Sequence, residues 1–402
     1  MLKVIISLFL FGFISNTYSK NVILLSIDTL SAKHLSLYGY HKKTAPFISS
    51  LSNKCMLFKN HFANADHTAP SHMSIFTGLY PVNHKVFRGE VYKSKINLTI
   101  AEVLKKNNYK TYWFAPITDI SLSKQIGLQR GFNDIIKPGL YGSNLKSVIQ
   151  KLKKILKSKN NFVFLHTYIT HDPYTPPFEY TKDKIINLER YLSFKMPISW
   201  RWGEGVIRKK YWDNFNITKK KDVDKLINYY DYEITYMDTI VEKLYNSLGN
   251  NLDDVTIILT SDHGEAFGEH QYFRHETLDD EVLQIPLIIC NSKLKKGVDY
   301  RLTESVDLYN TILDELNIKN TQKNDGQSLI DKNKKLKTIL YANNSRSYML
   351  QNHKYKLYLD SLNNLKVLNN HGEVIKILNG KETLEIARLK QKLINYKLKQ
   401  YQ

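Results

Sequence analysis

The chain has 402 residues, 42% hydrophobic and 24% charged, enough to bury one large α/β core with a smaller module and too apolar for global disorder. A formal net charge of +20 favours anionic partners. The lysines are nevertheless spread among Asn and Ile, and zinc-ligand spacing, RNP-like strings and recognition-helix patterns are missing, so nucleic acid is not the expected partner.

Lys3 precedes the apolar run 4–14, which is short for a bilayer span and fits the core of a signal peptide. Thr17 and Ser19 supply the small residues of a cleavage site. Residues 1–19 are therefore expected to be a leader, with an uncleaved anchor as the alternative. No later segment reaches spanning length, so the mature chain is expected to be exported, periplasmic or secreted, without an integral span.

NVILLSID (21–28) reads as a buried strand that ends in Asp28. Cys55 falls in a helix-like stretch. TIAEVLKKN (99–107) has helical spacing, KTYWFAP (110–116) reads as a strand, LKSVIQKLKKILKS (145–158) as an amphipathic helix and NFVFLHTY (161–168) as a second buried strand. Residues 178–221, with Trp200, Trp202 and Trp212, show no clear period and read as a loop-rich insertion near the site. A long helix is expected over 222–248, then the strands DVTIILTSD (254–262) and QIPLIIC (284–290) and the helix SVDLYNTILDELNI (305–318).

From about Lys335 the runs LKTILYA, RSYMLQN, KYKLYLD, LKVLNN and EVIKIL are short and separated by Asn, Asp and Gly, ahead of a terminal helix over 381–398. The expected fold is α/β: a mainly parallel sheet sandwiched by helices over 20–330, and a small C-terminal antiparallel α+β subdomain over 331–402. The two cysteines, Cys55 and Cys290, read as small core residues; export permits a disulfide between them and the pattern does not demand one.

Ligands of such sheets bind beyond the carboxyl ends of the strands, and Asp28, His166 and Asp262 all lie at or near such ends. In HTAPSHMSIFTGLYP (67–81), Pro70 suits the first turn of a helix and Thr68 stands just ahead of its N-terminus, where free N–H groups favour an anion. Its hydroxyl fits either a nucleophile for a phosphoryl or sulfuryl centre or a plain helix cap. In LTSDHGEAFGEH (259–270), Asp262 and His263 follow a strand directly and Gly264 allows a sharp turn. A carboxylate beside an imidazole suits a divalent cation, although Asp-His-Gly alone also fits an ordinary turn. Together Asp28, Asp262, His263 and Thr68 make a one-metal site with an activated nucleophile.

These segments, in this order, resemble the sulfatase family of the alkaline-phosphatase superfamily. NVILLSIDTLSAKHLSLYGYHKKTAPFISSL is similar to the family's opening, and TAPSHMSIFTGLYPVNHKV to its nucleophile segment. FVFLHTYITHDPYTPP and YDYEITYMD are similar to its middle. SDHGEAFGEH with QIPLII resembles its second metal segment, and VDLYNTILDELNI with DGQSL the end of its catalytic domain, so that 21–329 is covered. The resemblance implies an alkaline-phosphatase-like fold and one divalent metal ion (zinc, manganese or calcium) held by Asp28, Asp262 and His263, with Thr68 as nucleophile. It also implies that His171 and His275 contact the transferring oxyanion or the leaving group; each is otherwise a surface or supporting histidine. His166 is a weaker candidate, and Glu265, Glu269 and His270 fit supporting positions.

Three departures carry weight. Formylglycine sulfatases need Cys or Ser where Thr68 stands, Thr29 replaces the family's second N-terminal acid, and His72 stands where those sulfatases carry arginine. The expected substrate is therefore an anionic phosphate mono- or diester (small molecule, lipid headgroup or glycan), with a sulfate ester retained. The alternatives are a phosphoryl transferase that modifies an envelope lipid or glycan, and a binding protein that kept the fold without turnover.

Overall fold

A computed structural model describes residues 20–87, 97–115, 126–137, 140, 142–181, 209, 211–331, 337–369, 372–375 and 380–401. The expected leader and most of the loop-rich stretch over 178–221 lie outside the described residues. Among the described residues, ten strands precede residue 305: β1 (Asn21–Ile27), β2 (Met56–Phe62), β3 (Lys110–Phe114), β4 (Asp134–Ile136), β5 (Asn161–Thr167), β6 (Val255–Thr260), β7 (Ala266–Phe267), β8 (Phe273–Arg274), β9 (Leu287–Cys290) and β10 (Gly297–Glu304). Eight of them form one sheet in the order β10-β2-β9-β6-β1-β5-β3-β4, while β7 and β8 pair as a separate hairpin. Among the described residues, only β9 runs against its neighbours in the large sheet; the other pairings are parallel. The α/β architecture is thus the expected one.

The continuous apolar run of β1 follows from burial on both faces. Ile23, Leu25 and Ile27 enter one core cluster, whereas Val22 and Leu24 enter the other. The first cluster lies under the long helix Lys220–Leu248, through Leu226, Ile234, Met237 and Leu244. The second lies under the helices Thr68–Thr77, Ile100–Lys106 and Asp307–Glu315, through Met73, Phe76, Leu104, Leu308 and Ile312. Each fully buried side chain of this size contributes about 1.5–3 kcal/mol, so β1 is anchored rigidly on both sides. That rigidity fixes where Asp28 emerges.

Cys55 departs from expectation: it lies directly before β2 rather than in a helix, and it is disulfide-bonded to Cys290. The antiparallel register Met56↔Ile289 brings the two cysteines face to face, with Cα atoms 4.4 Å apart. Sequence separation hid a pairing that the sheet order imposes.

The C-terminal strands β11 (Leu340–Asn343), β12 (Ser347–Gln351), β13 (Tyr355–Asp360) and β14 (Leu365–Asn369) form a four-stranded sheet whose pairings are all antiparallel. Ile386, Leu389 and Leu393 of the helix Gly380–Leu398 share its core. Among the described residues, the fifth expected run supplies only a bridge from Val374 to Leu368. Lys337 pins the start of this region to the large sheet, with its Nζ 2.6 Å from both Glu304 Oε2 and Asp307 Oδ1.

Candidate active site

The central strands β6, β1 and β5 are neighbours, so their carboxyl ends open on one place. Asp28 follows β1, Asp262 lies two residues beyond β6, and His166 is the penultimate residue of β5. All three are fully buried, as is His263. The turn from β1 is tight: Thr29 has φ 56°, its N–H donates to Asp262 Oδ1 at 3.2 Å, and its hydroxyl donates to the Thr170 carbonyl at 2.8 Å. The Thr29 side chain is therefore committed to backbone, not turned toward the carboxylates. Gly264 is required for space rather than for a left-handed turn. A Cβ there would lie 2.2 Å from the Glu281 carbonyl oxygen.

Thr68 is the first residue of the helix Thr68–Thr77, one position later than expected; His67 occupies the N-cap without a side-chain capping bond. The helix closes on Gly78 at φ 66°, a left-handed conformation that glycine adopts without strain. Thr68 Oγ1 donates to Asp28 Oδ2 at 3.4 Å. The first-turn amides of Thr68 and Ala69 (Pro70 has none, and Ser71 donates to the His67 carbonyl) and the helix dipole thus sit beside a buried hydroxyl.

One ligand atom each from Asp28, Asp262 and His263 lies within 4.8 Å of the others. His263 Nε2 stands 3.9 Å from Asp28 Oδ1 and 3.7 Å from Asp262 Oδ2. Its Nδ1 faces the Gly264 carbonyl at 3.0 Å, which assigns the proton to Nδ1 and turns the Nε2 lone pair toward the carboxylates. Asp262 Oδ2 and His263 Nε2 are buried with no hydrogen-bond partner among the described residues. Buried polar atoms of this kind are costly unless something binds them, and two carboxylates with an imidazole are a fitting donor set for a divalent cation. Burial by itself raises the Asp262 carboxyl; the adjacent His263, His72 and His166 outweigh it and hold the group at about 2.

His72, His166 and Asp262 form a second group of similar compactness. His72 nevertheless has both nitrogens in use: Nδ1 reaches the Thr68 carbonyl and Nε2 the Ser26 hydroxyl, each at 2.9 Å. Burial, with His166 nearby, pushes its pKa down to about 3, so the ring is neutral. It braces the helix Thr68–Thr77 against β1, at the position noted above as a departure from the arginine of formylglycine sulfatases. His166 Nδ1 faces the Ser26 carbonyl at 3.1 Å and its Nε2 lies 3.3 Å from Asp28 Oδ2.

His171 and His275 stand together at the rim, ring centroids 5.5 Å apart, and His275 is 4.5 Å from His263 by the same measure. His275 Nδ1 contacts Glu265 Oε1 at 3.1 Å; burial, then the nearby His263, His171, His67 and Arg274, hold its pKa well below the usual histidine value. His171 Nδ1 donates to the Asp172 carbonyl at 2.7 Å. The Asp172 carboxylate also accepts from Trp212 Nε1 at 2.9 Å and lies 3.4 Å from Arg274 Nε. All six residues singled out from the sequence, Asp28, Thr68, His171, Asp262, His263 and His275, therefore converge. Glu265 supports His275, whereas Glu269 accepts from the Phe267 amide at 2.5 Å. His67 and Asp172 are not among the six, although His67 adjoins Thr68 and its ring lies 5.1 Å from that of His275.

A sulfatase family model matches residues 20–318. The chain is 25% identical over 288 residues to phosphoethanolamine transferase EptA of Helicobacter pylori, covering 68% of this chain and 48% of that protein. It is 26% identical over 336 residues to human iduronate 2-sulfatase, covering 68% of this chain and 60% of that protein. The chain thus spans 48% and 60% of the length of these two relatives. Among solved structures, phosphonate monoester hydrolase of Agrobacterium radiobacter superposes with a TM-score of 0.74 at 15% identity, over 95% of this chain and 96% of that one. BT4656, solved with its substrate D-glucosamine-2-N,6-O-disulfate, superposes with a TM-score of 0.70 at 16% identity, over 95% and 98% of the two chains. These likenesses carry the fold. No helix among the described residues is long and apolar enough to cross a membrane.

Proposed function

The chain belongs to the sulfatase family of metal-dependent hydrolases and transferases, and from that premise we propose that it cleaves a phosphate mono- or diester through attack by Thr68. The observation that carries this reading is the Thr68 hydroxyl at a helix N-terminus, 3.4 Å from Asp28 Oδ2. Beside it lie Asp262 Oδ2 and His263 Nε2, buried and without a hydrogen-bond partner among the described residues. A divalent cation held by Asp28, Asp262 and His263 would supply a lowered hydroxyl pKa and positive charge against the phosphoryl oxygens.

Thr68 Oγ1 gives up its proton to solvent and bonds to phosphorus as the bond to the ester oxygen breaks, and the leaving oxygen takes a proton. Of the two rim histidines, His171 suits that acid role, because its side chain is 17% exposed while burial, with Arg274 and the other histidines nearby, holds His275 well below the usual histidine pKa. First-turn amides of Thr68–Thr77 stabilise the charge that builds on the equatorial oxygens. An incoming hydroxyl then displaces Thr68: water gives hydrolysis, and an alcohol gives transfer. The likeness to EptA favours transfer as the second reading.

A threonine cannot yield formylglycine, so sulfate release by recovery of an aldehyde is closed to this site. Phosphoryl transfer needs only the groups described. Parallel kcat/KM measurements on aryl phosphate, phosphodiester and sulfate esters with one leaving group should favour phosphorus; a clear preference for sulfate overturns the assignment. We also read residues 1–19 as a leader, 20–330 as the catalytic domain and 331–402 as its C-terminal subdomain. Export is supported by the Cys55–Cys290 disulfide, which persists in oxidising compartments.

A further inference from the structure

His67 is tied down on one side and open on the other. Its Nδ1 lies 2.7 Å from Asp66 Oδ1, and Asp66 is almost wholly buried. The second Asp66 oxygen, Oδ2, accepts from Asn344 Nδ2 at 2.7 Å. Asn344 sits in the turn between β11 and β12, where its Oδ1 accepts the amides of Arg346 and Ser347 at 2.9 and 2.8 Å. Those two bonds fix which end of the amide faces Asp66. The hairpin is held to the segment that follows β2 by the Asn343 amide on the Asn64 carbonyl at 3.1 Å. Asn344, Asp66 and His67 thus form a directed chain that assigns the imidazole proton to Nδ1.

The other nitrogen, Nε2, is buried and has no hydrogen-bond partner among the described residues. The ring lines the same space as His275 and His263, at centroid distances of 5.1 and 6.5 Å. An imidazole with its Nδ1 proton held by Asp66 presents a lone pair at Nε2, so its natural partner is a donor and not a phosphoryl oxygen. The hydroxyl that enters to resolve the Thr68 adduct is such a donor.

We propose that His67 is a catalytic residue for the second half of the reaction. Its Nε2 orients the incoming water or alcohol and takes its proton as the new P–O bond forms and the bond from phosphorus to Thr68 Oγ1 breaks. The proton returns through solvent to Thr68 Oγ1, so the enzyme is restored. Asp66 steadies the transient imidazolium, and Asn344 is a positioning residue through which the C-terminal sheet completes the site. This inference rests on the Thr68 reading above.

The test uses the full chain with metal supplied and an aryl phosphate whose leaving oxygen needs no proton. In His67→Ala the first turnover should persist as a burst of aryl alcohol, while steady-state kcat falls by ~10²–10³. Phosphorylated Thr68 should accumulate in peptide mass spectra, and added imidazole should restore part of the rate. Asn344→Ala should show the same pattern with a loss of about tenfold. If His67→Ala folds poorly, His67→Gln and Asn344→Ala carry the same readouts. Loss of the burst together with kcat, or a fall in kcat with no adduct and no rescue by imidazole, overturns the role of His67 while leaving Thr68 as nucleophile. Full turnover in Thr68→Val, with no adduct in any variant, overturns both readings at once.

Discussion

Replacing Thr68 by valine separates a nucleophile from a structural threonine, because the two roles predict losses of different size in different measurements. The substitution keeps volume and β-branching and removes only Oγ1. That atom makes one long bond, 3.4 Å to Asp28 Oδ2, and it caps nothing, since the N-cap is His67. The Thr68 carbonyl that accepts from His72 is untouched. The stability lost should therefore stay within about 1 kcal/mol, a small shift in a melting curve for a chain of this length. Turnover should fall by at least ~10³, or about 4 kcal/mol of transition-state stabilisation, because a covalent route through a hydroxyl has no ready substitute. Melting curves and kcat/KM on an aryl phosphate, measured on one preparation, compare the two quantities directly. Thr68→Ser keeps the hydroxyl and should retain most activity. A valine variant that keeps more than a tenth of wild-type turnover refutes the mechanism.

In Asp262→Asn the Oδ1 acceptor for the Thr29 and His263 amides survives while the charge is lost, so the fold should hold and divalent metal should bind at least ~100-fold more weakly; unchanged metal content after dialysis would remove Asp262 from the ligand set. Stability should also fall on acidification because of His84, buried between Ser74 and the Pro70 carbonyl, whose pKa burial depresses from 6.5 to about 3. Since the folded value is the lower one, its contribution is complete above pH 6.5 and is lost as pH drops toward 3, at up to ~1.4 kcal/mol per unit. Urea midpoints measured across that range should decline less steeply in His84→Gln, and an equal slope would show that the histidine titrates normally in the native state.

Where sequence and structure agree, burial is the reason. β1, β5 and β6 are apolar throughout because both faces are covered, and a strand with one face in water would alternate instead. The helix Ile100–Lys106 is legible for a different cause: Thr99 and Glu102 form a capping box, a local device visible in the string. β2 and β10 carry no such local signal. β2 interrupts its apolar residues with Lys59 and Asn60, and β10 is an edge strand that exposes Val298 and Tyr300 while Asp299 and Arg301 are half-buried. β2 owes its conformation to pairing with β10 and β9, and β10 to pairing with β2, each over a separation of more than two hundred residues. The disulfide between Cys55 and Cys290 is obscured by the same cause.

The site divides along a similar line. The metal candidates can be found because strand ends are legible and each delivers its own carboxylate or imidazole. What distinguishes one histidine from another is the partner at Nδ1, and those partners differ in reach. His263 and His171 take a carbonyl one residue ahead, and His275 takes a carboxylate ten residues back. His67 takes Asp66 beside it, so the pair Asp-His directly before Thr68 is a local signal of the same kind. The part no local reading supplies is Asn344, 278 residues away, which fixes the free end of that carboxylate. On the same footing His72, one of the three departures from the formylglycine sulfatases, is the poorer candidate for chemistry, because the fold has already engaged both of its nitrogens.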